Sequence, residues 1–143
     1  MRMATAPGTP SPWELILPAG WRRPRGYANG VRVPAGHDLL FVAGQIGWDA
    51  ELRLVGDDFA AQFAQALGNV LAVVLAAGGE AADVARLTVY VVDKAEYAAA
   101  RRELGRRWRE LMGRHYPAMT LVEVRGLLAP GAKVEIEAKA AVP

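Results

Sequence analysis

The residues best placed for chemistry lie in the second half of the chain. Glu135 sits in Val134-Glu135-Ile136-Glu137-Ala138, an alternating run that reads as a strand. On a strand, Glu135 and Glu137 point to the same side. A carboxylate beside an apolar cleft has a raised pKa and can shuttle protons. The same run, continued to Lys139, also reads as a solvated face of alternating charge. Arg101 falls on the inward stripe of a predicted helix, with Tyr97, Leu104, Trp108 and Leu111. An arginine there either snorkels to an edge ion pair or reaches into a cleft as an anion anchor. Met119 and Leu121 share one face of a later strand, as the apolar wall of a pocket or as core. Tyr27 stands in a loop, where it either hydrogen-bonds a ligand or packs its ring and wets its hydroxyl.

Other chemistries find no support. The chain has no cysteine, which removes disulfides, thiolate zinc sites and cysteine nucleophiles together. His37 lies in a turn and His115 just beyond a helix end, and neither has metal-ligand spacing. The helix dipole accounts for a histidine at the position of His115. There is no Ser-His-Asp order, phosphate loop or zinc signature, so no metal is expected. Arg101, Arg102, Arg106, Arg107 and Arg109 form a basic run, but Glu103 and Glu110 interleave with it. That pattern reads as a paired, solvated helix face rather than a nucleic-acid surface. Trp48 caps a core edge or subunit contact, or stacks on a ligand.

The elements that must position these residues follow from periodicity and turn chemistry. Trp13 to Pro18 and Asn29 to Val33 read as short strands, and Leu39 to Ile46 as a third, apolar enough to be buried on both faces. Asp57 or Asp58 caps a first helix whose buried stripe is Phe59, Phe63, Ala66, Leu67, Val70 and Val74. Gly78-Gly79 ends it in a left-handed turn. Val84 to Val92 is a strand. Asp93 and Glu96 have the spacing of a capping box for a second helix, which runs to about Met112 with Gly113 as its stop. Strands at Ala118 to Val124 and Lys133 to Ala141 close the chain, joined through a turn at Ala129-Pro130-Gly131. The predicted class is α+β. Two helices cover one face of a mixed sheet, and the other face calls for a second subunit or stays wet.

The totals are those of an ordinary globular chain. Its 143 residues are 52% hydrophobic and 22% charged. With 17 Lys+Arg against 15 acids, the net charge is +2, so the pI of 9.2 overstates the basicity. Residues 1–12, rich in Ala, Pro, Gly and Thr, are expected to be a flexible tail, and 13–143 one domain. No apolar run approaches bilayer-spanning length, and no signal-peptide core is present. A cytoplasmic location fits the absence of cysteine.

Tyr116-Pro117-Ala118-Met119-Thr120-Leu121-Val122-Glu123-Val124 and Val134-Glu135-Ile136-Glu137-Ala138 resemble the end of the reactive-intermediate deaminase family (RidA, also called YjgF). Asn29-Gly30-Val31 with Leu39 to Ile46 is similar to its opening strands, and Leu87 to Asp93 to its helix-linking strand. The shared order covers residues from about 26 to 142. The resemblance implies a six-stranded sheet with two helices on one face, in a homotrimer with ligand clefts between subunits. It implies hydrolysis of imines and enamines formed from amino acids, with no cofactor. An arginine would hold the substrate carboxylate and a glutamate would position or activate water. The glutamate matches Glu135, and a family tyrosine matches Tyr27. The arginine position holds Met119, and a cleft position two residues on, frequently cysteine, holds Leu121. Arg101 matches a position near the pocket that tends to carry asparagine, and so offers a relocated guanidinium. A thioether cannot donate paired hydrogen bonds to a carboxylate. The resemblance therefore implies either an imine or enamine deaminase with an altered substrate, or a non-catalytic trimeric ligand-binding or regulatory protein.

Overall fold

The computed structural model describes residues 13–143; the expected N-terminal tail lies outside the described residues. The elements follow in the order β1 (Glu14–Ile16), β2 (Gly30–Arg32), β3 (Asp38–Ile46), α1 (Phe59–Ala76), β4 (Val84–Val91), α2 (Lys94–Ala99), α3 (Arg101–Met112), β5 (Ala118–Glu123) and β6 (Val134–Val142), with a 3-10 turn at Ala81–Asp83 before β4. The six strands divide. β1 and β2 form an antiparallel ribbon, and the other four form a mixed sheet in the order β3-β6-β4-β5. β4 and β5 run parallel, and the other pairs in that sheet are antiparallel. A single bridge, Ala28 to Ala118, links the loop between β1 and β2 to β5.

α1 forms where the apolar stripe predicts. Asp58 is its N-cap, accepting from the Ala61 N–H at 2.9 Å, an arrangement that contributes about 1 kcal/mol. The helix stops at Gly78, whose φ of +84° suits glycine. Gly78 N–H donates to Leu75 O and Gly79 N–H to Val74 O, the paired bonds of a Schellman turn. Leu67, Val70 and Val74 are wholly buried beneath the sheet, each contributing about 1.5–3 kcal/mol by its burial. α1 is also 18 residues long with mean hydropathy 1.6, enough to cross a bilayer by length and composition. The run-length reading missed this because Gln62, Gln65, Gly68 and Asn69 interrupt it. In the fold the apolar stripe is spent on the sheet.

Gln62 shows why one of those interruptions is there. It is fully buried on the stripe itself. Its Nε2 donates to Gly56 O at 2.7 Å and Gly131 O at 3.0 Å, and its Oε1 accepts from Lys133 N at 2.9 Å. One side chain thus ties the linker before α1 and the turn before β6 to the core helix. Gly47 permits the close approach, because a Cβ there would stand 2.6 Å from Gln62 Cα.

Four expectations change in the fold. β3 is not buried on both faces: Leu39 and Phe41 are 62% and 67% exposed. It is an edge strand, and its Leu40 and Val42 turn toward the core. The second helix breaks at Ala100 into α2 and α3, although Leu104 N–H still donates to Ala100 O at 2.9 Å. The capping box is half made. Asp93 accepts from Ala95 N at 2.8 Å, whereas Glu96 turns away to Lys133 Nζ at 3.0 Å.

The fourth change concerns His115. It is not a cation at a helix end but a buried neutral ring, with Nε2 2.6 Å from Val84 O. Burial pushes its pKa below the usual histidine value, outweighing the opposing pull of the Val84 carbonyl and the Asp83 charge. In the unfolded chain the ring titrates near 6.5; in the fold it resists protonation. The unfolded state therefore binds more protons below that pH, and stability present above it is lost as pH falls. We expect the urea midpoint to drop between about pH 7.5 and about pH 5.5, and to drop less in His115→Gln. An equal drop in the variant would assign the effect to other groups.

Candidate functional site

A cavity of about 140 Å³ opens between α3 and β5. Register decides what lines it. Leu87 pairs with Met119 and Val89 with Leu121 across the parallel β4–β5 ladder. Directly paired residues share a face, so Met119 and Leu121 stand on the helix side with the core. Both line the cavity, with Phe63, Val89 and Leu104. The two apolar positions have thus not closed into core; they wall an open pocket.

The cavity is aromatic as well as aliphatic. Trp108 and Tyr116 stack at 5.7 Å between ring centroids, nearly parallel at 4°. Trp108 Nε1 donates to His115 O at 3.1 Å, which fixes the indole. Tyr97 lines the pocket from α2 and meets Phe59 edge-on at 6.3 Å. Apart from Arg101, no side chain in this lining is charged.

Arg101 begins α3 at the mouth of this pocket, largely exposed. The edge ion pair envisaged for it is absent. Among the described residues, no acid lies within ion-pair distance of it and no hydrogen bond holds its side chain. The helix's own acids are occupied: Glu103 takes Arg106 and Arg107, and Glu110 takes Arg106 at 2.9 Å. The hydrogen bond from Arg106, then that from Arg107, holds the Glu103 carboxyl down at about 2. The interleaved pairing read from the basic run is therefore present, with Arg101 left out of it.

Tyr27 lies elsewhere. It is 44% exposed and lines a second groove with Arg23, Arg25 and Arg114. The groove meets the cavity at Gly26 and Tyr116, which line both. Trp48 stays at the edge of the linker, bridged to Leu54, and its carbonyl accepts from Asn69 Nδ2 at 2.8 Å.

Glu135 is on the other side of the sheet. It pairs with Tyr90 in β4 and with Ile46 in β3, while its neighbours Val134 and Ile136 are wholly buried under the helices. Its carboxylate lies over Gly44, at the bulge between Val42 and Gln45. A Cβ on Gly44 would collide with Glu135 Oε1 and stand 2.9 Å from its Cδ, so the glycine makes room for the acid. On the same face the Tyr90 hydroxyl donates to Glu137 Oε1 at 2.7 Å. That bond, with smaller help from desolvation and the Glu137 charge, raises the Tyr90 pKa above its ordinary value. Within one chain, then, Met119, Leu121 and Arg101 come together, Tyr27 adjoins them, and Glu135 is separated from them by the sheet. Among the described residues no cluster of His, Asp and Glu is arranged to hold a metal.

Sequence reading missed Tyr116, Val89 and Gly26 as pocket residues. Tyr116 sits beside the Pro-Ala-Met segment, but nothing in its spacing announces a stack on Trp108. Gly26 is far away in sequence and arrives only through the Ala28–Ala118 bridge.

The arrangement has close relatives. Residues 22–142 match the family model described as Endoribonuclease L-PSP. The chain is 34% identical over 115 residues to a 2-iminobutanoate/2-iminopropanoate deaminase of Salmonella typhimurium, covering 78% of this chain and 84% of that protein. It is 37% identical over 101 residues to a RutC family protein of Haemophilus influenzae, covering 71% and 77%. The crystal structure of the Rid-family protein YyfB from Yersinia pestis superposes with a TM-score of 0.77 at 35% identity, covering 91% of this chain and 98% of that one. Element order, the mixed sheet under two main helices, and these likenesses together show that the chain belongs to the RidA (YjgF) family.

Proposed function

We propose that the protein is a homotrimeric hydrolase of small imines or enamines derived from amino acids, acting without a cofactor in clefts between subunits. The observation that carries this reading is the separation of Glu135 from the Met119–Leu121–Arg101 cavity by the thickness of the sheet. A ligand in that cavity meets an acid of this kind only if a neighbouring protomer supplies it. The uncovered sheet face supports an assembly, since Phe41, Leu39 and Val122 present exposed apolar surface there. The deaminase name of the Salmonella relative supports the reaction, and a cytoplasmic location belongs to the same reading.

In the proposed reaction, water adds to the carbon of the C=N bond. The Glu135 carboxylate takes a proton from the water as the C–O bond forms. The imine enters protonated on nitrogen, so a neutral carbinolamine forms. Glu135 returns its proton to that nitrogen, the C–N bond breaks and ammonia leaves. The hydroxyl proton passes to water, and a 2-oxo acid remains. A carboxylate in general acid–base work of this kind accelerates by about 10²–10⁴-fold.

Binding without turnover is the second reading, and Met119 favours it. At the position where the resemblance implies a guanidinium, the thioether supplies no charge to a substrate carboxylate. The experiment generates 2-aminoacrylate enzymatically and follows keto acid release with and without the protein. Acceleration is expected; none would discard hydrolysis of such imines. A Met119→Arg variant then reports on the rest of the site. We expect it to raise the rate on the 2-aminoacrylate-derived imine by about tenfold, the worth of one charge-assisted pair. No gain would mean that the surrounding geometry no longer serves that substrate.

A further inference from the structure

We propose that the α3–β5 cavity takes the apolar group of an organic anion, and that Arg101 holds the anionic end. The ligand class is a small monoanion bearing a compact hydrophobic group of about six heavy atoms, phenyl or branched alkyl. The proposal rests on the reading of this cavity as the ligand site, and it deepens that reading by naming what fits.

Size comes first. At about 140 Å³ the pocket is far larger than a methyl or ethyl side chain requires. Dry cavities of about 150 Å³ hold benzene. The walls are Met119, Leu121, Val89, Phe63, Leu104 and the Trp108–Tyr116 stack, and they offer dispersion contacts in place of hydrogen bonds. A small imino acid would leave much of that wall without a partner; a phenyl or isobutyl group would cover it.

Charge comes second. The mouth holds one guanidinium, and among the described residues no acid of its own chain neutralises it. On the same helix, Arg106 has engaged Glu103 and Glu110, and Arg107 has engaged Glu103. Arg23, Arg25 and Arg114 line the adjoining groove, and none of them is in an ion pair among the described residues. The field at the mouth is therefore positive, which draws anions toward it. An arginine at this place restores the paired N–H donors that Met119 lacks, but from the helix rather than from the strand. The anion then sits at the rim, and the rest of the ligand points inward.

Calorimetric titration of the full chain with phenylacetate, acetate and benzyl alcohol tests this. Phenylacetate supplies both features, and the other two supply one each. We expect phenylacetate to bind at least tenfold more tightly than either. Arg101→Ala should cost at least tenfold for phenylacetate and leave benzyl alcohol unchanged, and Arg101→Lys should recover part of the loss. Arg101 is exposed, so these variants keep the fold, which circular dichroism verifies. Leu121→Phe, which fills the cavity from the strand side, should abolish the preference for phenylacetate over acetate. Equal binding of phenylacetate and acetate, or indifference to Arg101→Ala, would overturn the proposal. The hydrolysis reading fails separately: phenylacetate binding as described with no imine turnover would leave the anion site standing and remove the enzyme. Turnover of small imines that is insensitive to Arg101→Ala and to phenylacetate would do the reverse.

Discussion

Replacing Glu135 by glutamine slows imine hydrolysis by about 10²–10⁴-fold, the range lost when a positioned proton-transfer group is removed. Glutamine has the same shape, so it still fits over Gly44, where a Cβ would strike the side chain. It accepts no proton from water. Because Glu135 stands on the face opposite the cavity of its own chain, the proposed hydrolysis requires it to act across a subunit contact. Mixing therefore has a diagnostic consequence. Arg101→Ala and Glu135→Gln chains, each impaired alone, regain part of the activity when reassembled together, since one cleft in the mixture draws both intact residues from different protomers. The measurement is the initial rate of 2-oxo acid formation, with oligomeric state checked by light scattering. Full activity in Glu135→Gln would remove the acid from the mechanism.

Gln62→Leu lowers folding stability by about 1–3 kcal/mol. Leucine fills nearly the same volume, so the loss is one of hydrogen bonding rather than of packing. Three partners lose their bond: the carbonyls of Gly56 and Gly131, on exposed residues, and the N–H of the half-buried Lys133. Each bond lost costs about 0.5–1.5 kcal/mol, because water can reach these partners, and the apolar gain of leucine offsets part of it. Urea unfolding measures it as a fall in midpoint at unchanged slope. A drop under about 1 kcal/mol would mean that these groups find other partners. The effect also reaches the site, because Lys133 lies just before β6 and two residues before Glu135. Loosening that entry frees the strand that carries the acid.

Much of the local architecture is legible in the residues. The stripe from Phe59 to Val74 has the helical period, Asp58 has the capping side chain, and Gly78-Gly79 has the backbone freedom for the stop. Alternation alone puts Glu135 and Glu137 on one side of β6. Elsewhere local signals lost to distant partners. Glu96 has the spacing of a capping box, yet Lys133, far along the chain, takes it. His115 sits where a cation suits a helix end, yet burial in the core keeps the ring neutral against the pull of the Val84 carbonyl. The break at Ala100 has no proline or glycine to mark it. Gln62 did leave a trace, a polar residue on an otherwise apolar stripe, but its three partners lie in two separate segments.

Residue types and spacing were enough to establish the α+β class, the element order and the family, because caps, turns and apolar periods act over a few residues. They also named Met119, Leu121, Arg101 and Glu135. Which of these meet is another matter. A strand's period of two says which of its own residues share a side, and says nothing about which side of a neighbouring strand joins them. Pairing Val89 with Leu121 and Tyr90 with Glu135 puts the pocket under the helices and the acid behind the sheet. Those pairings join segments far apart in the chain, and only the packing of the whole core selects them.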